Sequence, residues 1–500
     1  MPEPWELGAE EIARRVAARE LAAAEVVSSA LDRTARVEPL VAAYLAVYDE
    51  EARAAAAELD RRLAAGEPPG RLAGVPVALK DNLSLAGKPL TCGSKILAGY
   101  VAPYTATAVE RLLAEGAIVL GRANMDEFAM GSSTENSAYA RTRNPWDLAR
   151  VPGGSSGGPA AAVAAGSAAL GFGSDTGGSV RQPAALCGVV GVKPTWGRVS
   201  RYGLVAFASS TDQIGPVARG VRDAALALSV VAGPDSRDST CAARPGEDYL
   251  AGIEEGVRGL RIGILREVDA GALAPAAQAN WRASLELLAR AGAEPVEVSV
   301  PSLGAAIAVY YVIATSEASA NLARFDGVRY GRRAEAESLL DLYLRSRSEG
   351  FGAEVKRRIM LGTFALSSGY YEAYYGRARG VLEGMRRQVE AAFEEVDLLV
   401  TPTAPGGAFA LGEKVDDPLA MYLSDIFTTP ASLLGLPAVA VPSGADDEGL
   451  PLSLQVMGRP FDEATVFRAA RAFEREAGWQ VAPSFRGAEA AGAPVAAPAG

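Results

Sequence analysis

The spacing of hydrophobic and polar residues predicts helices alternating with short buried strands. Residues 7–37 and 49–65 are rich in Ala, Glu and Arg, with apolar residues at helical spacing, and 106–115 has the same character. Short apolar runs typical of buried strands occur at 75–79, 117–121, 261–265, 397–400 and 438–441. Because these runs are far apart in the chain, we expect one sheet assembled from distant segments and flanked by helices.

The second half of the chain has a different pattern. Residues 275–396 predict helix almost throughout, with Arg, Tyr and Glu on the faces expected to be exposed, and we interpret them as a helical layer beside the sheet. Sheet segments return over 397–478. Residues 487–500 are mostly Ala, Gly and Pro and predict a disordered tail. We therefore expect one α/β domain over 1–485, with its main motifs within about 66–240.

The composition is that of a globular protein, with 49% hydrophobic and 22% charged residues among 500. The formal net charge of −11 disfavours unaided binding to a phosphate backbone, so a nucleic-acid role would need a partner. The N-terminus lacks the basic start and apolar run of a signal peptide, and no uninterrupted run of 18 apolar residues occurs. We expect a cytoplasmic protein that does not bind membranes.

The cysteines also limit the chemistry that the chain can perform. Cys92, Cys187 and Cys241 are few, odd in number and far apart. This pattern supports neither a disulfide framework nor a four-ligand zinc site. We expect three reduced, mostly buried thiols and no bound metal.

The chain contains no histidine, yet it has two serine motifs framed by glycines. These are GGSSGG at 153–158 and DTGGS at 175–179. A Ser-His-Asp triad is excluded, because its histidine takes the serine proton and returns it to the leaving group. A serine nucleophile in this chain therefore needs another base, and lysine is a known alternative.

The glycines around each serine favour catalysis. Ser155 and Ser156 precede Pro159 and the alanine-rich run 160–170, which predicts a helix, so both serines are expected at a positively polarised helix N-terminus. This motif alone fits a glycine loop that only caps a helix about equally well. Ser179 lies 24 residues after Ser155 and follows two glycines, whose amides suit an oxyanion hole. The two motifs together favour a catalytic serine site.

Lys80 is the candidate base. It follows the apolar run 75–79, and only six of the 49 cationic residues are lysines. A buried lysine favours its neutral form, and lowering its pKa from ~10.4 to ~7.5 requires about 4 kcal/mol. Arginine could not be discharged in this way. The alternative is a surface lysine whose stem covers apolar residues while its charge stays in water.

Three segments together resemble the amidase signature family. They are GVPVALKDN at 74–82, GGSSGG at 153–158 and GSDTGGSVRQPA at 173–184, in the family's order and spacing. Within that family, four further stretches are similar to the glutaminase subunits of tRNA-dependent amidotransferases: NMDEFAMGSSTENS at 124–137, TRNPWD at 142–147, GRVSRYGL at 197–204 and KRRIMLG at 356–362. The resemblance extends to about residue 478. It implies the α/β amidase signature fold, a large mixed sheet covered by helices on both faces.

The resemblance also implies the catalytic roles. Ser179 is the nucleophile, Ser155 the bridging serine and Lys80 the base, which agrees with the chemical argument. The bridging serine follows a cis peptide bond, here Gly154 to Ser155. The implied oxyanion hole consists of Thr176, Gly177 and Gly178. The small residue that we expect from the family at position 159 is replaced by Pro159, which suits a helix start.

The implied substrate is glutamine. A site selective for this amino acid needs a fixed cation for its α-carboxylate and a fixed anion for its α-ammonium. The resemblance assigns these roles to Arg358 and Asp425, with Ser132 and Tyr310 as neighbours. Without the resemblance, Arg358 and Asp425 would be better interpreted as groups in a solvated ion pair.

The resemblance implies a heterotrimer with two other amidotransferase subunits. This chain would release ammonia from glutamine, and a partner would bind mischarged Glu-tRNA(Gln) or Asp-tRNA(Asn) and amidate it with ATP and Mg²⁺. The sequence has no P-loop motif, so we expect no cofactor on this chain and ATP on a partner. The alternatives are a stand-alone amidase for simple amides, which would not need Arg358 and Asp425, and a catalytically silent scaffold, against which the intact Lys80, Ser155 and Ser179 argue.

Overall fold

A computed structural model describes residues 2–269 and 272–488. Over these residues, eleven strands form one sheet. The strands are β1 Tyr44–Val47, β2 Pro76–Lys80, β3 Ile118–Ala123, β4 Leu170–Asp175, β5 Val190–Lys193, β6 Gln213–Ala218, β7 Arg261–Leu265, β8 Glu294–Val298, β9 Leu398–Pro402, β10 Ala438–Ala445 and β11 Pro451–Met457. The predicted tail 487–500 lies outside the described residues, apart from its first two.

Fifteen α-helices accompany the sheet within the same described ranges. They are α1 Ala9–Ala17, α2 Ala23–Val41, α3 Asp49–Ala64, α4 Thr107–Ala114, α5 Gly157–Ala164, α6 Arg181–Leu186, α7 Val221–Val231, α8 Pro275–Arg290, α9 Ala306–Asn321, α10 Leu339–Gly350, α11 Ala353–Leu366, α12 Arg377–Glu395, α13 Pro418–Tyr422, α14 Thr429–Leu433 and α15 Glu463–Ala477.

The sheet is mixed and draws on distant parts of the chain. In space the strand order is β1-β3-β2-β4-β6-β5-β10-β11-β9-β7-β8. β2 is parallel to β3 and β4, and β7 is parallel to β8 and β9, whereas the other neighbours are antiparallel. The five predicted strands correspond to β2, β3, β7, β9 and β10. The expected mixed sheet is confirmed.

Helices cover both faces of this sheet. Val77 and Leu79 of β2 belong to one hydrophobic cluster, whereas Ala78 between them belongs to another. Since successive residues of a strand point to opposite faces, the two clusters lie on opposite sides. The first includes buried residues of α7 and α15, and the second includes those of α5 and α6. This arrangement also agrees with the predicted fold.

Two helical predictions need correction. The segment 7–37 contains two helices, α1 and α2, because the chain turns at Arg19, which has a φ of +57°. The region 275–396 includes a strand, β8, among its helices. β8 is an edge strand of the sheet, so it can keep exposed charges and tolerate Pro295. This composition made it look like the exposed helices around it.

One helical segment, Pro301–Arg324, is long and apolar enough to cross a membrane by length and composition. It includes α9, which packs against α11 and α12, and 44% of its most apolar window is buried inside the protein. The core helix of a soluble protein meets the same criterion. The segment is therefore weak evidence for a membrane span.

Candidate active site

The topology brings the serine and lysine motifs to one edge of the sheet. Lys80 ends β2, and the loop that leads to Ser179 leaves the end of β4. Because β2 and β4 are parallel neighbours, their carboxyl ends lie side by side. Ser155 lies in the turn before α5, and Ser156 is the N-cap residue of that helix. Lys80 thus meets Ser155 and Ser156, and the backbone of Ser179 joins them, because its carbonyl oxygen accepts the Ser156 N–H at 3.0 Å.

The helix that follows these serines is shorter than the predicted 160–170. α5 begins at Gly157, has Pro159 in its first turn and ends at Ala164. Gly166, with a φ of +79°, then turns the chain towards β4, which begins at Leu170. The prediction of a helix N-terminus beside Ser155 and Ser156 is confirmed, whereas its C-terminal boundary is wrong.

Lys80 is surrounded by hydroxyl groups. Its Nζ lies 2.8 Å from Ser155 Oγ and 2.8 Å from Ser156 Oγ. It also lies 3.1 Å from Ser174 Oγ, which accepts a hydrogen bond from Asn82 Nδ2 at 2.9 Å. A neutral amine has two protons and one lone pair, so one of these hydroxyls can donate to the nitrogen. The geometry therefore permits proton transfer between a serine and Lys80.

Burial gives Lys80 the properties of a base. The side chain is fully buried, and this burial lowers the pKa of Lys80 from its usual 10.5 to about 7, even though the buried carboxylates Asp126, Asp175 and Asp212 oppose the shift. A substantial fraction of the amine is thus neutral at neutral pH. The alternative of a surface lysine with its charge in water is wrong.

The loop before Ser155 is tightly enclosed. The Gly154–Ser155 peptide bond is cis, as the resemblance implied. Gln182 Oε1 accepts the Gly154 N–H at 3.0 Å, and Gln182 Nε2 donates to the carbonyl oxygen of Ser132 at 2.9 Å. A Cβ at position 154 would lie 2.1 Å from Asp126 Oδ2, so only glycine fits. These contacts fix the position from which Ser155 reaches Lys80.

The loop before Ser179 presents amide groups. Within the described part of the chain, the N–H groups of Gly177, Gly178 and Ser179 have no hydrogen-bond partner. At the start of the loop, Thr176 Oγ1 donates to Asp212 Oδ1 at 2.7 Å. Anchored N–H groups that are free to donate to a new partner are what an oxyanion hole requires.

The hydroxyl of Ser179 differs from those of Ser155 and Ser156 in its contacts. Its side chain lies at the edge of the site, with the residue 8% exposed, and its hydroxyl makes no hydrogen bond to another described residue, Ser155 included. Catalytic hydrogen bonds are often long in the absence of substrate and tighten when it binds. Ser155 therefore contacts Lys80 in this structure, whereas no hydrogen bond joins the side chains of Ser155 and Ser179.

Asp425 and Ser132, two of the predicted substrate-binding residues, are in contact. Ser132 Oγ donates to Asp425 Oδ2 at 2.5 Å. Asp425 Oδ1 is buried and has no partner among the described residues. It would lie 3.3 Å from a Cβ built on Gly178, so this oxygen faces the loop before Ser179. Burial raises the pKa of Asp425 to about 7. A cationic ligand at this position would satisfy the free oxygen.

Tyr310 and Arg358 lie on the neighbouring helices α9 and α11. Tyr310 packs on the same loop, since a Cβ on Gly177 would lie 2.7 Å from its Cζ. Arg358 is only 2% exposed, and its Nε donates to Glu354 Oε1 at 2.7 Å. Its guanidinium also lies 5.1 Å from the ring centroid of Tyr311. Arg358 and Asp425 are thus separate buried charges, and the interpretation as a solvated ion pair is wrong.

Several residues that shape the site were not identified from the sequence. Ser174 and Gln182 lie inside the quoted motifs, so their polar side chains were a signal that could have been used. Thr428 and Glu354 contact the site from distant segments and carried no local signal. Among the described residues, no group of three or more Cys, Asp or Glu side chains is placed to hold a metal ion, and all three cysteines are free.

Comparison with known proteins identifies the family of this chain. The family model described as amidase matches residues 25–467. The chain belongs to the amidase family. This amidase is 56% identical to the A subunit of glutamyl-tRNA(Gln) amidotransferase of Anaeromyxobacter dehalogenans (strain 2CP-C) over 479 residues, which are 95% of this chain and 97% of that relative.

Solved structures agree on the fold. The crystal structure of the A subunit of glutamyl-tRNA(Gln) amidotransferase from Thermotoga maritima has a TM-score of 0.79 and 43% identity, over 95% of this amidase and 96% of that chain. The native peptide amidase from Stenotrophomonas maltophilia has a TM-score of 0.83 and 32% identity, over 97% and 100%. An amidotransferase subunit and a peptide amidase therefore share this fold. The fold alone does not distinguish their activities, so the side chains of the site must do so.

Proposed function

We propose that this amidase is the glutaminase subunit of a tRNA-dependent amidotransferase. The observation that carries the proposal is the free, buried oxygen of Asp425, which faces the loop before Ser179 while Arg358 supplies a second buried charge nearby. Fixed charges of opposite sign match the α-ammonium and α-carboxylate of glutamine. The high identity to relatives named as the A subunit of glutamyl-tRNA(Gln) amidotransferase supports the same assignment.

The proposed acylation step uses Lys80, Ser155 and Ser179 in sequence. Ser155 gives its proton to the neutral Lys80 amine and takes the proton of Ser179. Ser179 Oγ then forms a bond to the side-chain amide carbon of glutamine. The resulting oxyanion binds to N–H groups of the loop Thr176, Gly177, Gly178 and of Ser179 itself. Lys80 returns the proton through Ser155 to the amide nitrogen, the carbon–nitrogen bond breaks, and ammonia leaves.

Deacylation reverses the roles of the same groups. A water molecule gives a proton to Lys80 through Ser155 and attacks the ester carbon. The bond to Ser179 Oγ then breaks, the serine regains its proton, and glutamate is released. The chain of proton transfers needs one base with a pKa near neutrality, and burial gives Lys80 that property. Histidine is thus not required.

In the proposed complex, ammonia passes to one of two other subunits in a cytoplasmic heterotrimer. That partner binds Glu-tRNA(Gln), Asp-tRNA(Asn) or both and uses ATP with Mg²⁺ to activate the carboxylate that ammonia then amidates. The net charge of −11 on this chain supports binding of tRNA and ATP by the partner. We treat residues 1–485 as one domain, because a single sheet draws strands from Tyr44–Val47 through Pro451–Met457.

A stand-alone amidase for simple amides is the second candidate, favoured by the TM-score of 0.83 to a peptide amidase. The two are separated by measuring ammonia release from glutamine and from propanamide, by the chain alone and with co-expressed partner subunits. The proposal expects glutamine to be preferred and its hydrolysis to rise with partners and Glu-tRNA(Gln). Partner-independent hydrolysis of propanamide with glutamine ignored would establish the alternative. A Ser179→Ala variant with unchanged complex activity would instead indicate a scaffold.

A further inference from the structure

The carbonyl oxygen of Gly177 links the catalytic loop to the segment that carries Asp425. Thr428 Oγ1 donates to this oxygen at 2.8 Å, and Thr429 Oγ1 lies 3.3 Å from it. Thr428 closes a turn with Asp425, because its N–H donates to the Asp425 carbonyl oxygen at 3.2 Å. One short turn therefore contains both the free carboxylate oxygen of Asp425 and the Thr428 hydroxyl that is hydrogen-bonded to the loop.

The backbone of this turn is fixed from the other side. Arg181 Nη1 donates to the Thr428 carbonyl oxygen at 2.9 Å, and Arg181 Nη2 lies 2.8 Å from Asp175 Oδ1, at the start of the catalytic loop. Gln455 Oε1 accepts a second bond from Arg181 Nη1 at 2.6 Å, and Gln455 Nε2 donates to the Phe427 carbonyl oxygen at 2.9 Å. All of these polar side chains are buried. The turn and the loop are thus held as one unit.

The hydroxyl of Thr428 determines the direction of one amide donor. A peptide unit is planar and trans, so the N–H of Gly178 points away from the carbonyl of Gly177. Fixing that carbonyl at 2.8 Å from Thr428 Oγ1 therefore aims the Gly178 N–H towards the opposite side. The packing is close, since a Cβ on Gly178 would lie 2.1 Å from Thr428 Oγ1. No other side chain among the described residues bonds to this carbonyl except Thr429.

Resting on the proposed function, we propose that Thr428, assisted by Thr429, is a positioning residue for glutamine hydrolysis. Its hydroxyl sets the orientation of the Gly177–Gly178 peptide and so aims an oxyanion donor. Because Asp425 belongs to the same turn, an ammonium group that binds Asp425 is held at a fixed position relative to this donor. Binding at the α-ammonium is thereby converted into faster chemistry at the amide, and not only into tighter binding.

The test compares variants of the full-length chain, co-purified with its partner subunits. Thr428→Val keeps the side-chain shape and removes the hydroxyl, whereas Thr428→Ser keeps the hydroxyl. Deleting an oxyanion donor lowers kcat about 10²–10³-fold, so misdirecting one is expected to lower kcat for glutamine at least ~10-fold, with KM changed less than about twofold. Thr428→Ser is expected to stay within about threefold of wild-type kcat, since it retains the oriented donor.

Thr34→Val is the matched control. It removes a buried threonine hydroxyl in α2 that donates to the Ala30 carbonyl oxygen at 2.8 Å, and kcat is expected to be unchanged. Wild-type kcat in Thr428→Val, or a rise in KM alone, overturns the inference. If Thr428→Val does not fold, Thr428→Ala and Thr428→Ser decide the matter, and equal kcat values in the two contradict it. Wild-type protein that releases no ammonia from glutamine would overturn the proposed function instead.

Discussion

Lys80 Nζ lies 2.8 Å from Ser155 Oγ, and both side chains are completely buried. The two residues are 75 positions apart and meet because β2 and the turn before α5 converge at one edge of the sheet. Burial lowers the pKa of Lys80 to about 7, so the amine can accept a proton at neutral pH. This pair offers the proton transfer that a chain without histidine otherwise lacks.

Replacing Lys80 by arginine should abolish the base while retaining a cation. Arginine stays protonated in proteins, so Lys80→Arg cannot take the proton of Ser179 through Ser155. General-base catalysis contributes about 10²–10⁴-fold, and we expect kcat for glutamine to fall by at least ~100-fold. Steady-state ammonia release measures the change. Lys88→Arg, at a partly exposed lysine that pairs with Glu51 far from the site, is the control, and near-normal activity of Lys80→Arg would rule out Lys80 as the base.

Two titrating groups should control how kcat/KM changes with pH. Lys80 must be neutral and Asp425 must be ionised, and each has a pKa of about 7 in the free enzyme. Both active forms exist above their pKa, so activity is lost as the pH falls. We expect a plot of log kcat/KM for glutamine against pH to approach a slope of 2 below pH 7.

Asp425→Asn tests the assignment of the second proton. This variant lacks the titrating carboxylate, so its slope below pH 7 should decrease to 1, with a lower kcat/KM above pH 7 and a difference from wild type that narrows as the pH falls. The Lys80 titration should remain, since its pKa is set mainly by burial. A wild-type slope of 1, or a slope unaffected by Asp425→Asn, would show that Asp425 does not control glutamine binding.

Arg358 should matter for glutamine and not for simple amides. Its guanidinium is buried beside Glu354 and Tyr311, and a charged hydrogen bond contributes about 1.5–3 kcal/mol. Arg358→Ala is therefore expected to lower kcat/KM for glutamine roughly 10- to 100-fold, mostly through KM. Hydrolysis of propanamide should change little. Arg345→Ala, which removes an exposed arginine of α10, is the control, and equal losses on both amides would count against carboxylate recognition.

Gly177 should tolerate no side chain. A Cβ at this position would lie 2.7 Å from Tyr310 Cζ, so Gly177→Ala must displace either the ring or the oxyanion loop. We expect kcat for glutamine to fall ~100-fold or more, as for the loss of an oxyanion donor. A variant with normal kcat would mean that the loop does not bind the oxyanion.

Gly380→Ala is the matched control for that variant. Gly380 is exposed in α12, and a Cβ there would meet nothing within 4 Å. The substitution should leave kcat unchanged and raise the free energy of unfolding by about 0.4–1 kcal/mol, because alanine loses less conformational freedom in a helix than glycine does. Denaturant unfolding measures this change.

The hydrophobic pattern predicted the central strands better than the edges of the fold. β2 is fully buried and β7 mostly so, and their short apolar runs alone identified them. β8 lies at the edge with exposed Glu294 and Glu297, so its pattern did not differ from that of nearby helices. The break at Arg19 arises from a single backbone angle, φ of +57°, which an arginine does not predict.

The residues of the candidate site likewise divide into those that local motifs predicted and those that only tertiary packing brings to the site. Lys80, Ser155 and Ser179 lie in local motifs whose chemistry is visible in the sequence, and the structure places them together. Thr428 reaches the catalytic loop from 251 positions beyond Gly177. Glu354 contributes to the site because it lies one helical turn before Arg358 in α11 and pairs with its buried guanidinium. Contacts of this kind depend on tertiary packing, which residue type and local spacing do not encode.

The most direct test of the central claim is ammonia release from glutamine by the chain with its partner subunits, with Ser179→Ala as the blank. The proposed mechanism predicts release by the wild type, further stimulated by Glu-tRNA(Gln), and none above background from Ser179→Ala. It also predicts a covalent glutamyl ester on Ser179, detectable by mass spectrometry after rapid acid quenching. Equal release by the wild type and Ser179→Ala would contradict the mechanism, because ammonia would then form without the serine.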